Sequence, residues 1–348
     1  MTHWAVTLAG GVGSRFWPLS TPERPKQLLP LVDDQPMLVS TLERIAPLVD
    51  AERTLVLTNA SLVAPIRAAL AEHAIEIPRS NIIAEPRPAG TAAALAWAAS
   101  RIVALGSPDA VMICVHADWA IGDPDEYRRT LAAAAEAAER HDALVTVGIV
   151  PTRPDSGFGY IAPGARVDGP LRRVARFVEK PDRATAERMV GEGYLWNSGI
   201  FVWRASAFLA EIAEHTPEVH GALVAAGDDI TRFFAAVQNI SVDVGVLQRS
   251  SRVMVLPGDF GWDDVGTWAA LARVRECDAA GNAMSGLVHA MHAERNVVHA
   301  QGNAVVLYGV SDLVVVTLDG LTLVTTVDRS ADLKTLIDSL PTALRDRR

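Results

Sequence analysis

Hydrophobic positions in the first 150 residues alternate between short apolar runs and longer stretches with helical spacing. Short apolar runs predict β-strands, and apolar residues spaced three and four apart predict amphipathic helices. The predicted strands are Trp4–Ala9, Thr54–Thr58, Ile82–Ala84, Ala110–Val115 and Ala143–Val150, and the predicted helices between them are Met37–Val49, Ser61–Glu72, Thr91–Leu105 and Asp125–Arg140. Strands that alternate with helices of this length predict an α/β fold with a mixed, mostly parallel sheet, in which ligands bind beyond the carboxyl ends of the strands.

The pattern changes after residue 150. Glycines and prolines interrupt the apolar runs between 151 and 170, which indicates an antiparallel insertion that covers the sheet. A strand is predicted at Arg173–Val178, helices at Arg183–Gly191, Ala205–Glu214, Asp228–Val237 and Ser330–Leu340, and four short strands at Val297–Ala300, Ala304–Tyr308, Leu313–Thr317 and Leu321–Thr325. Four short strands at similar spacing indicate a small β-roll or β-helix. We therefore predict two domains, residues 1–275 and residues 276–348.

Composition and charge exclude several classes of function. A net charge of −9 without a basic stripe argues against nucleic-acid binding. The apolar stretches are shorter than a membrane span needs, and the amino terminus lacks the pattern of a signal peptide. Two cysteines, Cys114 and Cys277, do not make a disulfide framework. We expect a protein of the reducing cytoplasm, with no nucleic-acid or membrane partner.

The segment after the first predicted strand carries the strongest chemical signal. It contains three glycines within four residues, and it reads Leu8, Ala9, Gly10, Gly11, Val12, Gly13, Ser14. Glycines let backbone N–H groups approach a phosphate closely, and the cations Arg15 and Lys26 can neutralise charge on phosphoryl oxygens. The spacing matches neither G-x-G-x-x-G nor the P-loop. We predict a nucleoside triphosphate site here; the alternative is a tight strand-to-helix turn without a ligand.

Two aspartates are candidate metal ligands. Asp118 follows a strongly apolar strand, and Asp264 lies in the segment Phe260–Trp268 next to Asp263. Carboxylates at a sheet edge, together with substrate phosphate, form the oxygen environment that Mg²⁺ prefers. We predict that Asp118 and Asp264 bind Mg²⁺, with Asp264 preferred over Asp263. The alternative is that these aspartates cap a helix or form turns.

A second set of residues suits a sugar phosphate. Lys180 follows a strand and precedes a proline, so it can hold a second phosphate, or simply be a solvated lysine. The Asn197 amide can bind sugar hydroxyls or form an Asx-turn, and Gly159 permits close backbone approach or belongs to a plain hairpin. The sequence has no histidine and cysteine cluster with zinc spacing and no nucleophile motif, which favours direct transfer.

Six segments in order resemble the sugar-1-phosphate nucleotidylyltransferases, and the Phe-Trp-Pro-Leu-Ser and Lys-Gln features resemble the guanylyl branch. The segments are Gly10–Ser20 with Pro25-Lys26-Gln27, Glu85-Pro with Gly90-Thr-Ala-Ala, Phe177–Pro181, Trp196–Gly199, Ser241–Asp243 and Gly261–Trp268. The resemblance implies a Rossmann-like catalytic domain, a small β-helical carboxyl-terminal domain and a homodimer. It also implies that GTP and mannose 1-phosphate give GDP-mannose and pyrophosphate, with Mg²⁺.

The resemblance also implies a role for each candidate residue. Arg15 and Lys26 would stabilise the transition state, and Asp118 and Asp264 would bind the metal. Nucleotide contacts would come from Leu8, Ala9, Gly10, Gly11, Gly13, Ser14, Glu85 and Thr91. Sugar-phosphate contacts would come from Gly159, Glu179, Lys180 and Asn197.

Two positions depart from the family pattern, and several alternatives stay open. The chain has His116-Ala-Asp118-Trp119 where the family commonly has Pro-x-Asp-His, and Gly90 where it often has Asn. One alternative is a related enzyme for another nucleotide or another sugar 1-phosphate, such as a glucose or heptose phosphate. A second is a catalytically silent, nucleotide-binding regulatory protein. A glycosyltransferase would need an Asp-x-Asp motif, and phosphomannose isomerase activity is not expected.

Overall fold

The computed structural model describes residues 2–11 and 13–345. Its strands are β1 His3–Leu8, β2 Thr54–Asn59, β3 Ile82–Glu85, β4 Val111–His116, β5 Ala120–Ile121, β6 Leu144–Ile149, β7 Gly159–Asp168, β8 Leu171–Glu179, β9 Leu195–Arg204, β10 Val253–Gly258, β11 Trp262–Asp263, β12 Ala283–Ser285, β13 Val288–Met291, β14 Val297–Ala300, β15 Val305–Tyr308, β16 Leu313–Leu318 and β17 Leu321–Thr326. Its helices are α1 Met37–Ile45, α2 Val63–Glu72, α3 Gly90–Ala104, α4 Pro124–His141, α5 Arg183–Gly191, α6 Ala205–His215, α7 Pro217–Ala226, α8 Ile230–Ala236, α9 Leu271–Val274, α10 Leu333–Ser339 and α11 Thr342–Arg345. None of these helices is long and apolar enough to cross a membrane.

One large mixed sheet organises the first 260 residues. Among the described residues it has nine strands in the order β3-β2-β1-β4-β9-β6-β10-β8-β7. The four strands β3, β2, β1 and β4 run parallel, so their carboxyl ends meet at one edge. The predicted glycine loop, Glu85 and Asp118 follow or end three of these strands, and the structure therefore brings them together at that edge.

The other half of the sheet is largely antiparallel. Strand β9 lies between β4 and β6 and runs opposite to both, so antiparallel pairing extends further than the sequence indicated. The predicted insertion after residue 150 is the β7–β8 hairpin, which is antiparallel as expected. It does not cover the sheet, however; it continues it at the far edge, beside β10 and β9.

Helices cover both faces of the sheet because each presents an apolar side to it. Helix α3 packs on one face through a buried run, Ala92 to Ala99, in which six of the eight residues are alanine, and it lies against β1, β2 and β4. Helix α4 packs on the other face. Its start is defined locally: the Asp123 carboxylate accepts hydrogen bonds from the backbone of Asp125 and Glu126, and Pro124 occupies the first turn.

The carboxyl-terminal strands β12 to β17 form a short β-helix-like unit, which is called the carboxyl-terminal coil below. Strands β12, β14 and β16 pair in parallel in one sheet, β13 and β15 pair in parallel in a second, and β17 closes the first sheet as an antiparallel edge. The sequence predicted four strands after residue 280, whereas six are present among the described residues. The two additional strands, β12 and β13, are only three and four residues long, so their hydrophobic patterns were too short to recognise. The division into domains at 275/276 stays a prediction.

The coil rests on the segment that follows the glycine loop. Phe16 packs on Trp268, with ring centroids 5.2 Å apart, and the Trp268 indole N–H donates to the Trp17 carbonyl at 3.0 Å. The same apolar cluster includes Val297 of β14 in the coil and Leu333 of α10. The carboxyl-terminal strands therefore brace the loop whose glycines face the candidate site.

Candidate functional site

A cavity of about 290 Å³ lies at the carboxyl edge of the parallel strands. Seven of the predicted nucleotide-site or metal-site residues line it: Leu8, Ala9, Gly10, Gly11, Glu85, Thr91 and Asp118. Gln27 holds the loop in place, because its side-chain amide donates to the carbonyls of Ala9 and Gly11 at 2.7 and 3.0 Å. Gly13 is described beside Lys26, whereas the side chain of Ser14 lies outside the described part of the chain.

Gly13 is required by its backbone and by its neighbour. Its φ is +60°, in the left-handed region, and a Cβ placed on it would lie 2.3 Å from Cβ of Lys26. A side chain at this position would therefore be strained and would displace Lys26. The glycine that the sequence assigned to phosphate binding also makes room for the lysine.

Lys26 joins the two predicted metal-ligand segments. Its Nζ donates to the Asp118 carboxylate at 2.9 Å, to the Asp118 carbonyl at 2.6 Å and to the Asp264 carbonyl at 2.6 Å. The Lys26 side chain is only 6% exposed, so its charge is held by these oxygens and not by bulk water. One buried ammonium therefore fixes the distance between two segments that are far apart in the sequence.

The two aspartates have different electrostatic environments. Burial acts to raise the pKa of Asp118, but the Lys26 ammonium and His116 outweigh it, and the pKa lies below its ordinary value. Burial and the neighbouring Asp263 carboxylate raise the pKa of Asp264, although Lys26 and Arg15 oppose the shift. Asp118 is thus a carboxylate paired with a cation, whereas burial has the largest influence on the pKa of Asp264.

Asp263 has a different partner. Its carboxylate binds the Arg273 guanidinium through two hydrogen bonds of 2.7 and 2.9 Å, and it accepts from the Val265 backbone at 2.8 Å. These bonds occupy it in the fold, which supports the choice of Asp264 over Asp263 as the metal ligand.

Arg15 lies beside Asp264. A Cβ placed on Gly266 would lie 2.8 Å from Oδ2 of Asp264 and 3.5 Å from Nη1 of Arg15, so both side chains border Gly266. Arg15 is exposed. It is therefore a solvent-exposed charge beside Asp264, in contrast to the buried Lys26.

Glu85 ends strand β3 and faces the glycine loop. Its Oε1 lies 4.0 Å from a Cβ placed on Gly10, and no described residue donates a hydrogen bond to its carboxylate. Burial raises the pKa of Glu85 to about 7. A half-buried carboxyl group without a protein partner, in a cavity, is typical of a group that binds a ligand.

Thr91 and Gly90 begin helix α3 at the cavity wall. The Thr91 hydroxyl accepts from the Val242 backbone N–H at 2.9 Å. A Cβ on Gly90, whose φ is +82°, would lie 2.2 Å from the Ile240 carbonyl oxygen. Close packing of this segment on α3 therefore explains why the chain has glycine at a position where the family often has asparagine.

The predicted sugar-phosphate residues lie on the antiparallel half of the sheet. Lys180 Nζ is 3.0 Å from the Glu179 carboxylate, and the Lys180 side chain is 65% exposed. Lys180 has φ of +48°, an unfavourable conformation for lysine, of the kind that clusters at functional sites. Gly159 pairs with Glu179 across β7 and β8, and a Cβ on it would lie 2.7 Å from Oε2 of Glu179.

Asn197, near the start of β9, lies between two hydrogen-bond partners. Its Nδ2 donates to the Asp243 carboxylate at 2.8 Å, and its Oδ1 accepts from the Thr146 hydroxyl at 3.1 Å. Burial raises the pKa of Asp243 to about 6, and the Glu179 carboxylate adds to this shift. The structure thus brings Glu179, Lys180 and Asn197 to one place, together with Asp243.

The register of β4 and β9 joins the two sets of residues. Val111 lies opposite Arg204 and Cys114 opposite Phe201, so the end of β4 faces the start of β9. A Cβ on Gly199 would lie 3.3 Å from Nε2 of His116 and 3.0 Å from the Trp119 ring. The rings of His116 and Trp119, 4.7 Å apart, therefore lie between the predicted nucleotide-binding residues and the predicted sugar-phosphate residues.

Comparison with known proteins assigns this chain to a family. The model of one family, described as nucleotidyl transferase, matches residues 4–281. The chain belongs to the nucleotidyl transferase family. It is an enzyme of that family, and enzymes of the family generally use a divalent metal.

Three relatives show how far the likeness extends. The xanthan biosynthesis protein XanB of Xanthomonas campestris pv. campestris is 36% identical over 352 residues, which cover 98% of this chain and 73% of XanB. A mannose-1-phosphate guanylyltransferase of Salmonella muenchen is 35% identical over 349 residues, 96% of this chain and 72% of the relative. A solved structure from Thermus thermophilus, described as mannose-1-phosphate geranyltransferase, superimposes with a TM-score of 0.89 at 36% identity, covering 97% of this chain and 99% of that one.

The residues at the edge of the parallel strands suit a divalent cation. Asp118 and Asp264 can supply hard oxygen ligands, and the Asp264 carboxylate accepts no hydrogen bond from the described residues. Arg15, on the same side, suits phosphate. This combination is the chemistry that a metal–triphosphate complex needs.

Sequence reasoning left Asp243 and Thr146 without a role. Asp243 was present only as part of the matching segment Ser241–Asp243, and Thr146 lies within a strand with no motif. Both are identified by their bonds to Asn197. The sequence contained a signal for Asp243, but nothing in it indicated that Asp243 binds Asn197, which is 46 positions away.

Proposed function

We propose that this enzyme transfers GMP from GTP to α-D-mannose 1-phosphate and releases pyrophosphate. One observation carries the proposal: Lys26 Nζ binds both the Asp118 and Asp264 segments beside the glycine loop. In that geometry a buried cation and two carboxylates lie together where phosphoryl oxygens would enter. The names of the Salmonella relative and the Thermus neighbour support mannose 1-phosphate as the acceptor.

The proposed transfer needs positioning and charge stabilisation and no covalent intermediate. Backbone N–H groups of the loop from Gly10 to Gly13 would bind the triphosphate, and Lys26 and Arg15 would stabilise charge that develops at the α-phosphorus and on the leaving pyrophosphate. Asp118 and Asp264 would hold Mg²⁺, which neutralises phosphate charge when bound. The phosphate oxygen of the sugar would then attack the α-phosphorus in line with the leaving group.

Glu85 is the proposed determinant of guanine. A carboxylate accepts hydrogen bonds and does not donate them, and guanine presents two adjacent donors on its Watson–Crick edge. Adenine and the pyrimidine bases lack that pair of donors. A carboxylate without a protein partner on the cavity wall supports the preference for GTP.

Lys180, Glu179, Asn197 and Gly159 are proposed to hold the sugar phosphate. Lys180 would bind its phosphate as a point charge, Glu179 and Asn197 its hydroxyl groups, and the backbone of Gly159 would approach the ring. The exposed Lys180 and the half-buried polar pair beside it support this division of roles.

Pyrophosphate release from the purified protein tests the proposal. A panel of nucleoside triphosphates and sugar 1-phosphates, with Mg²⁺, is expected to give turnover with GTP and mannose 1-phosphate. A preference for UTP or dTTP would instead support the alternative nucleotidylyltransferase, and no turnover with any pair would support the silent regulatory protein. Asp264→Asn is expected to abolish metal-dependent turnover while the melting temperature is retained.

A homodimer is part of the proposal. Four large apolar residues lie exposed on or beside the β13–β15 sheet, namely Leu287, Met291, Val306 and Tyr308. An exposed apolar patch of this kind supports burial against a second copy of the chain. Light scattering of the wild type and of Val306→Lys tests it: a dimer that becomes monomeric agrees with the proposal, and a monomeric wild type contradicts it.

A further inference from the structure

The Asn197 side chain has two partners with different chemistry. Thr146 presents a hydroxyl, which can either donate or accept a hydrogen bond. It also lies 3.2 Å from the Ile200 carbonyl, an alternative acceptor for its single proton. Asp243 presents a carboxylate, which only accepts when it is ionised.

This difference decides the orientation of the amide. A group that faces an ionised carboxylate must be the NH₂ end, so Asp243 forces Nδ2 of Asn197 toward itself and Oδ1 toward Thr146. Thr146 alone would tolerate the flipped amide, because its hydroxyl could donate to oxygen or accept from nitrogen. The Gly199 N–H, 3.5 Å from Oδ1, is too distant to hold the amide by itself.

Asp243 is itself held firmly in place. The preceding segment is bound to the start of α3: Val242 donates to the Thr91 hydroxyl at 2.9 Å, and the Ile240 carbonyl accepts from Ala92 at 3.2 Å. The turn that follows Asp243 is held by the Thr216 hydroxyl, which donates to the Gly245 carbonyl at 2.7 Å. Asp243 can therefore act as a fixed reference for a side chain on β9.

We propose that Asp243 is a positioning residue that fixes the orientation of the Asn197 amide, and thereby sets selectivity among sugar 1-phosphates. The inference rests on the proposed function, since it requires that the sugar phosphate binds beside Asn197. A fixed amide offers one N–H and one oxygen lone pair at defined positions, and it can match one arrangement of ring hydroxyls. An amide free to flip presents both arrangements and discriminates poorly between epimers.

A double-mutant cycle tests the inference. Asn197→Ala and Asp243→Ala are each expected to raise KM for mannose 1-phosphate by about 10-fold, roughly the value of one charge-assisted hydrogen bond. Because Asp243 acts through Asn197, the double variant is expected to resemble Asn197→Ala alone. KM for GTP stays unchanged in all three variants, and Asp338→Ala, an exposed aspartate of α10, is the control.

Selectivity provides the second measurement. The ratio of kcat/KM for mannose 1-phosphate over glucose 1-phosphate, its C2 epimer, is expected to fall in Asp243→Ala. It is expected to change less in Thr146→Val, because Asp243 still orients the amide there. If Asp243→Ala lowers the melting temperature, Asp243→Asn, which keeps the shape but offers both a donor and an acceptor, carries the same cycle.

The outcomes separate this inference from the proposed function. Effects that multiply in the double variant, or a KM for GTP that rises as much as KM for the sugar, would overturn the positioning role while wild-type turnover leaves the function intact. A wild type without turnover on any substrate pair would overturn the function itself. Isothermal titration of mannose 1-phosphate into the same variants then reports whether Asp243 still controls its binding through Asn197.

Discussion

Two sets of polar side chains, one in the carboxyl-terminal coil and one in the cavity, differ in how their hydrogen-bonding groups are satisfied. In the carboxyl-terminal coil, Asn282 and Asn296 are almost wholly buried and bind each other, with Nδ2 of Asn296 2.9 Å from Oδ1 of Asn282. Their remaining groups bind the backbone of Ala293, Val310 and Leu313. In the cavity, Glu85 has no hydrogen-bond donor among the described residues, and Lys26 is the only described cation bound to the Asp118 carboxylate.

This difference supports the assignment of the cavity residues to a candidate site. The two asparagines complete one another's hydrogen bonds, so they stabilise the turns between coil strands and leave nothing for a ligand. Glu85 keeps unused hydrogen-bonding capacity, which lowers stability unless a ligand supplies the partner. Substitutions in the two regions are therefore expected to separate activity from stability.

The largest expected effect is that of Lys26→Ala. If Lys26 stabilises phosphate charge as proposed, loss of this buried cation is expected to lower kcat by about 100- to 1000-fold. Pyrophosphate release at saturating substrates measures it, with Lys334→Ala, an exposed lysine of α10, as the matched control. A Lys26 variant that keeps most of its activity would show that the cation holds the fold and not the reaction.

Asn296→Ala is expected to act on stability alone. It removes the acceptor of the Leu313 N–H and a donor to the Val310 carbonyl, and unsatisfied buried groups of this kind cost about 2–3 kcal/mol of unfolding free energy. Chemical denaturation measures the loss, and kcat/KM of the folded fraction is expected to match the wild type. The exposed Asn303→Ala is the control. A change in kcat/KM would show that the coil takes part in the site.

Glu85→Gln is expected to have the smallest effect. If Glu85 recognises guanine as proposed, its replacement weakens that contact, and KM for GTP is expected to rise about 10-fold at pH 8. In the wild type, KM for GTP is expected to rise as the pH falls through about 7, because a protonated Glu85 loses an acceptor, and this dependence is expected to be weaker in the variant. The other titratable residues that line this cavity, His116 and Asp118, are present in both the wild type and the variant, so a difference between their pH profiles reports on Glu85.

Glu85→Gln is expected to weaken GTP binding but to increase the stability of the folded protein at high pH. A carboxyl group whose pKa is raised in the folded state is best tolerated when protonated, and its contribution to stability is lost as the pH rises through about 7. Glu85→Gln is therefore expected to melt at a higher temperature than the wild type at pH 8 and at a similar one at pH 5. Equal melting temperatures at pH 8 would indicate that Glu85 already has a partner.

The sequence predicted the strands around the cavity well because their signals are local. The apolar runs that became β1 and β4, the glycines between them and Asp118 can each be recognised within a few positions. The resemblance supplied the candidates that have no such signal, including Thr91 and Glu179.

What the sequence did not predict depends on distant partners or on very short elements. The bond from Asn197 to Asp243 joins positions 46 apart, and the packing of Ile240 that requires Gly90 joins positions 150 apart. Strand β13 has four residues, two of them exposed, so its hydrophobic pattern is too weak to recognise. The β7–β8 hairpin was predicted as antiparallel, but only the structure shows that it extends the sheet edge.

The contact between Lys26 and Asp264 can form only late in synthesis and folding. The two residues are 238 positions apart, so the glycine loop leaves the ribosome long before the segment that completes its charge arrangement. Contacts of such long range form late in folding, since the intervening chain must first be ordered. An amino-terminal fragment that stops before Asp264 would carry every glycine of the loop and still lack the segment that Lys26 binds. Completion of the candidate site therefore requires that all nine described strands of the large sheet have been synthesised.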